Sequence, residues 1–125
     1  KTMKRDRHLL AVKVIIESCQ VFTRRPKTDS TDFKLTAIEF AVDFAMLASA
    51  FSSAIVLLEV FDLHPEVKAL LITIEEFIKA KADEIQYRGV ETKQTNEHIA
   101  GVFKSIDDAV SSVLKTIDDK IKQEN

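Results

Sequence analysis

Apolar positions along the chain fall into four runs, each with helical rather than alternating spacing. The first, Leu9, Val12, Ile16, Cys19 and Val21 or Phe22, advances three or four residues at a time and stops at Pro26, which cannot continue a helix. The second, Thr36 to Leu63, is apolar almost all the way round and carries no charge between Asp43 and Glu59. The third sets Val67, Leu70, Leu71, Ile74, Phe77, Ile78, Ala82 and Ile85 on one face, with Lys68, Glu75, Lys79, Lys81 and Asp83 elsewhere. The fourth runs Ile99, Phe103, Ile106, Val110, Val113, Ile117 and Ile121 in alternating steps of three and four. The β-branched stretch from Val12 to Ile16 has strand character, but a lone strand leaves its backbone unsatisfied and nothing else in the chain offers to pair with it.

These runs predict four helices, about residues 3–24, 36–63, 66–88 and 95–123, in an all-α antiparallel four-helix bundle whose second helix is largely buried. The connections carry their own signals. Pro26 to Asp32 is dense in turn residues, and Arg88 with Gly89 suits a helix end. Thr36 and Glu39 have capping-box spacing, with Leu35 and Phe40 placed to staple across it. Pro65 suits a first helical position, Glu66 suits the positive end of the dipole, and His64 or Asp62 is the expected cap.

The second helix decides the functional reading. A surface helix keeps a polar stripe towards water, and one without it is buried on all sides, shared with a partner, or in lipid. The uncharged run from Phe44 to Leu58 is shorter than the ~20 residues a bilayer core requires, so a membrane span is the weakest of the three. Ala41, Ala45, Ala48, Ser49 and Ser52 form a small-residue strip that lets a neighbouring helix approach closely, most simply one from the same chain. At 100° per residue, Glu39, Asp43, Met46, Ala50, Leu57 and Phe61 share one side, whereas Phe40, Phe44, Leu47, Phe51, Ile55 and Leu58 belong to the core. Met46, Ala50, Leu57 and Phe61 are therefore the expected partner interface.

Composition narrows the rest. A chain of 125 residues is one domain by length, and two Gly, two Pro and no Trp fit long helices with short connections. The net charge is −2, but the first 27 residues are basic and the remainder acidic, which steers the helices of one chain together. A single cysteine, Cys19, excludes an intramolecular disulfide and makes a reducing cytoplasm the default setting. The amino end shows no signal-peptide pattern, and Lys1 in place of Met suggests an excised or processed chain.

Candidate chemistry is sparse. His8, His64 and His98 are far apart, no Glu-x-x-His spacing of a di-iron bundle occurs, and two glycines are too few for a phosphate loop, so neither a cofactor nor a metal is expected. Cys19, His64 and Asp62 have no spacing that recommends nucleophilic catalysis. The acidic pairs in KSIDD at Lys104–Asp108 and KTIDD at Lys115–Asp119 recur after eleven residues and read as one solvated face. Lys4, Arg5, Arg7, Arg24, Arg25 and Lys27 are candidate contacts for lipid or phosphate, although no aromatic residues interleave with them as nucleic-acid stacking would need. The expectation is a non-catalytic protein-interaction or oligomerisation module, an adaptor or regulatory domain whose partner is a protein or a second copy. The alternative is a bundle that binds or disrupts anionic membranes through its basic first helix; nucleic acid is disfavoured.

Overall fold

The computed structural model describes the backbone of residues 7–24, 33–88 and 93–124 and the side chains of residues 7–24, 41–84 and 98–123. Among these the chain is helical apart from short turns, with no strand, as the spacing of its apolar residues requires. The elements are α1 (Arg7–Ser18), α2 (Gln20–Thr23), α3 (Phe33–Val60), α4 (Pro65–Arg88) and α5 (Lys93–Glu124). α2 is a continuation of α1 across one tightened turn, where the Cys19 amide donates to the Ile16 carbonyl at 3.0 Å. Four helical rods result.

α3 lies against α1 and α4, and α5 lies against α4 on one side and α1 with α2 on the other. Lys13 pairs with Asp118 and Arg24 with Asp107, so residue numbers climb along α1 and α2 as they fall along α5. Glu66 with Lys120 and Glu84 with His98 set the same opposed order between α4 and α5. The core between the rods contains Leu9, Val12 and Ile16 from α1, Leu71 and Ile78 from α4, and Phe103, Ile106, Val110 and Ile117 from α5, all fully buried. The basic first helix thus meets the acidic last one through the ion pairs that the charge distribution anticipates.

Helix ends differ from expectation at α3. Its backbone is helical from Phe33, so Thr36 lies inside the helix and is not its cap; the side chains of the anticipated cap and staple lie outside the described residues. Its other end is Val60 rather than Leu63, because the chain closes there by a Schellman motif. The Leu63 amide donates to the Leu58 carbonyl at 2.9 Å and the Asp62 amide to the Glu59 carbonyl at 3.2 Å, with Asp62 left-handed at φ 50°. Leu63 packs back on the core near the residue whose carbonyl it satisfies. His64, also left-handed at φ 47°, then gives its carbonyl to the Lys68 amide, and Pro65 opens α4 at the position where its missing N–H costs nothing.

Candidate interaction face on α3

Two apolar sides run along α3. The inward side consists of Phe44, Leu47, Phe51, Ala54, Ile55 and Leu58, all buried, and includes every described residue assigned to the core from the sequence. Burial around nearly the whole helix is not what the fold provides: seven of the twenty residues from Ala41 to Val60 are buried. A rod in a four-rod bundle has two neighbours and one diagonal, so the arc opposite the core has nothing to cover it.

That outward arc carries Val42, Met46, Ser49, Ser53, Val56 and Val60, in steps of four, three, four, three and four. Val42, Met46, Val56, Val60 and the adjoining Phe61 are 53%, 48%, 55%, 68% and 54% exposed, and Ser49 and Ser53 are exposed between them. None of these is charged. Asp43, placed by its spacing on the same side as Met46 and Phe61, is instead 2% exposed and turned inward. Among the described side chains, the exposed charge beside this arc is Glu59, at its far end.

The second half of the arc is hollowed into an open groove of about 450 Å³, lined by Ser49, Ser52, Ser53, Val56, Leu57, Val60 and Phe61. Two contacts fix its flanks. The Ser52 hydroxyl donates to the Glu75 carboxylate of α4, which also has the Lys79 ammonium at 3.6 Å. At the end of the groove the Phe61 ring meets the His8 ring of α1, centroids 4.3 Å apart and planes tilted by 49°.

Of the four residues expected at a partner interface, Met46 and Phe61 are exposed, whereas Ala50 and Leu57 are partly buried and pack against the core. The reason is phase. At 100° per residue, the side chain opposite a core residue stands two places further on, which leads from Phe44 to Met46, Leu47 to Ser49, Phe51 to Ser53 and Leu58 to Val60. Val42, Ser49, Ser53, Val56 and Val60 were therefore findable from the core residues themselves. Phe61 joins the outer side from the turn after α3 rather than from the helix.

Among the candidate lipid or phosphate contacts, Arg7 is exposed, and Arg24 is engaged: its Nε lies 3.0 Å from Asp107 Oδ1 and its Nη2 donates to Ser111. Lys4, Arg5, Arg25 and Lys27 lie outside the described residues. Cys19 is 1% exposed, and burial pushes its thiol up to about 11, so it stays protonated and unreactive at neutral pH. Among the described residues no three His, Cys, Asp or Glu side chains converge as metal ligands would. A second depression, about 340 Å³, lies between α4 and α5 over Phe77, Lys81, His98, Gly101, Val102 and Ser105. Its two basic side chains are already engaged, since Lys81 Nζ and His98 Nε2 each stand 3.3 Å from a Glu84 carboxylate oxygen.

The chain matches no protein-family model, no curated protein and no solved structure. The functional reading therefore stands on the α3 face.

Proposed function

We propose that this chain is a non-catalytic helical interaction module, an antiparallel four-helix bundle that acts by burying the outward face of α3 against an apolar helix of a protein partner or of a second copy. One observation carries the reading. Val42, Met46, Ser49, Ser53, Val56 and Val60 continue, without a charge, over about 27 Å of helix where a solvent-facing stripe normally places Lys and Glu. Apolar surface held out in a contiguous strip favours association, because joining two such strips removes both from water. The buried, protonated Cys19 suits a reducing, cytoplasmic setting.

The test is the absolute mass in solution, by light scattering on a sizing column over a range of concentrations, for the wild type and for Val56→Asp. An assembly that Val56→Asp dissolves at unchanged helicity supports the module. An assembly indifferent to Val56→Asp places the contact elsewhere, and a monomer at every concentration removes self-association.

A second reading is favoured by the length of the same stretch. Ala41–Val60 is 20 residues with a mean hydropathy of 1.9, long and apolar enough to cross a bilayer, although it includes the buried Asp43 and the terminal Glu59. A bundle that binds anionic membrane would approach with its basic first helix and open to expose α3. Flotation with anionic vesicles at low salt, reduced when Lys4, Arg5 and Arg7 are neutralised together, would support it; no flotation removes it.

A further inference from the structure

The turn that joins α3 to α4 is strained, and we infer that it is a hinge through which two copies of this chain exchange their α4–α5 hairpins, each hairpin packing on α1 and α3 of the other copy. Between helices of 28 and 24 residues the chain reverses in four, Phe61–His64. Asp62 at φ 50° and His64 at φ 47° are the described non-glycine residues with left-handed backbone, and both stand in this turn. Left-handed backbone crowds the Cβ of an L residue against a carbonyl, and neither of the chain's two glycines, Gly89 and Gly101, stands there to avoid it. His64 is opposed twice, because it precedes Pro65 and a residue before proline is driven to extended backbone.

Opening the turn relieves both residues. Pro65 cannot stand inside a helix, where its ring would meet the Phe61 carbonyl, so the opened segment does not fuse α3 to α4 and His64 takes the extended form. What opening gives up are the amide bonds from Asp62 to Glu59 and from Leu63 to Leu58, at the end of α3 where water replaces them. Short connections under strain are the ones that favour exchange of elements between copies.

The hairpin moves as a unit. α4 and α5 are tied at one end by Glu66 with Lys120 and at the other by Glu84 with His98. Its polar contacts with the rest of the chain include Glu75 with Ser52, Asp118 with Lys13, and Asp107 with Thr23 and Arg24. Exchange rebuilds each of these between copies, so monomer and exchanged dimer share their packing and differ at the turn and in the freedom lost on association. Each dimer releases two strained turns. Because the hairpin must leave the core before it can change places, the dimer forms during refolding at high concentration and persists on dilution.

The experiment refolds an equal mixture of unlabelled and isotope-labelled chains from urea at high concentration, separates dimer from monomer on a sizing column, and couples ion pairs with a zero-length carbodiimide before mass spectrometry. Lys13 and Asp118 stand 2.8 Å apart across the exchanged contact, whereas Glu66 and Lys120 both belong to the hairpin. The expected result is a dimer in which about half of the links from Lys13 to Asp118 join a labelled to an unlabelled chain, as random pairing of copies requires, while links from Glu66 to Lys120 join none. Asp62→Gly and His64→Gly, which relieve the closed turn, should each lower the dimer fraction several-fold, and Val56→Asp on the outward face of α3 should leave it unchanged. A dimer whose Lys13 to Asp118 links all fall within one chain, or one that Val56→Asp dissolves, overturns the exchange and assigns the contact to a surface. A monomer at every refolding concentration overturns it as well, and a dimer fraction indifferent to both glycine variants overturns the strained hinge.

Discussion

Phe44 of α3 and Phe103 of α5 stack across the centre of the bundle, ring centroids 4.7 Å apart and planes 27° to one another. Their helices are diagonal partners whose backbones do not approach, so these rings close the core where neighbouring rods cannot. Both are buried, Phe103 completely. Phe103→Ala is expected to cost about 3–5 kcal/mol, a large share of the ~5–15 kcal/mol that stabilises a domain of this kind. Phe103→Leu, which keeps most of the volume, should cost much less. Urea denaturation of the two variants checks the difference, and equal small losses would mean that the diagonal is not tightly packed.

Asp107 of α5 gathers the end of the first helix. One oxygen, Oδ1, accepts from the Thr23 hydroxyl at 2.7 Å and from Arg24 Nε at 3.0 Å. The two partners are unequal: Thr23 is buried, whereas the Arg24 side chain is more than half exposed. Water replaces a lost partner for Arg24 but not for Thr23. Asp107→Ala should therefore destabilise by about 0.5–1.5 kcal/mol, because the Thr23 hydroxyl is left with only its long bond to the Gln20 carbonyl at 3.4 Å. Arg24→Gln should cost less than about 1 kcal/mol, as exposed ion pairs do. Thr23→Val tests the account directly, because in its background the penalty of Asp107→Ala should shrink.

The existence of the four helices and their inward faces was legible because apolar spacing reports which side of a helix leaves water, and Phe44, Leu47, Phe51, Ile55 and Leu58 all bury as that spacing implies. The ion pairs of Lys13 and Arg24 with α5 were legible as a charge asymmetry, though not as particular partners. The ends of α3 were not. Its closing motif is made by backbone amides of Asp62 and Leu63, and left-handed backbone at Asp and His carries no hydropathy signal. The outward face was misphased for a related reason: without a polar stripe to mark the solvent side, Ala50 and Leu57 looked as eligible as Val56 and Val60. Only the core residues of the same helix fix its rotation.

That closing turn makes its own prediction. Asp62 holds φ 50° on an exposed position, a conformation that costs an L side chain and costs glycine nothing. Asp62→Gly removes that penalty while making the unfolded chain more flexible, and where left-handed backbone is required the first effect is the larger. The variant should be more stable by a few tenths to about 1 kcal/mol. Asp62→Val should lose stability instead, because a β-branched side chain is least tolerant of positive φ. The two melting temperatures moving the same way would argue against strain at this residue.

The Glu66 carboxylate at the start of α4 is held below the usual range of a glutamate, first by the hydrogen bond from the Lys120 ammonium of α5 and next by its own backbone N–H at the helix N-terminus. A carboxylate whose folded pKa is depressed contributes stability above its unfolded value of about 4.3, and that contribution is lost as pH falls through the folded pKa. The pairing of α4 with α5 should therefore hold at neutral pH and weaken in acid. The effect is small, because the pair is solvent-exposed and screened by salt. Carboxyl titration by NMR isolates it: Lys120→Met should raise the Glu66 pKa yet leave it below the ordinary value, since the backbone donor remains. An unchanged titration would show that Lys120 does not hold this carboxylate in solution. A full return to the ordinary value would show that the helix N-terminus contributes nothing.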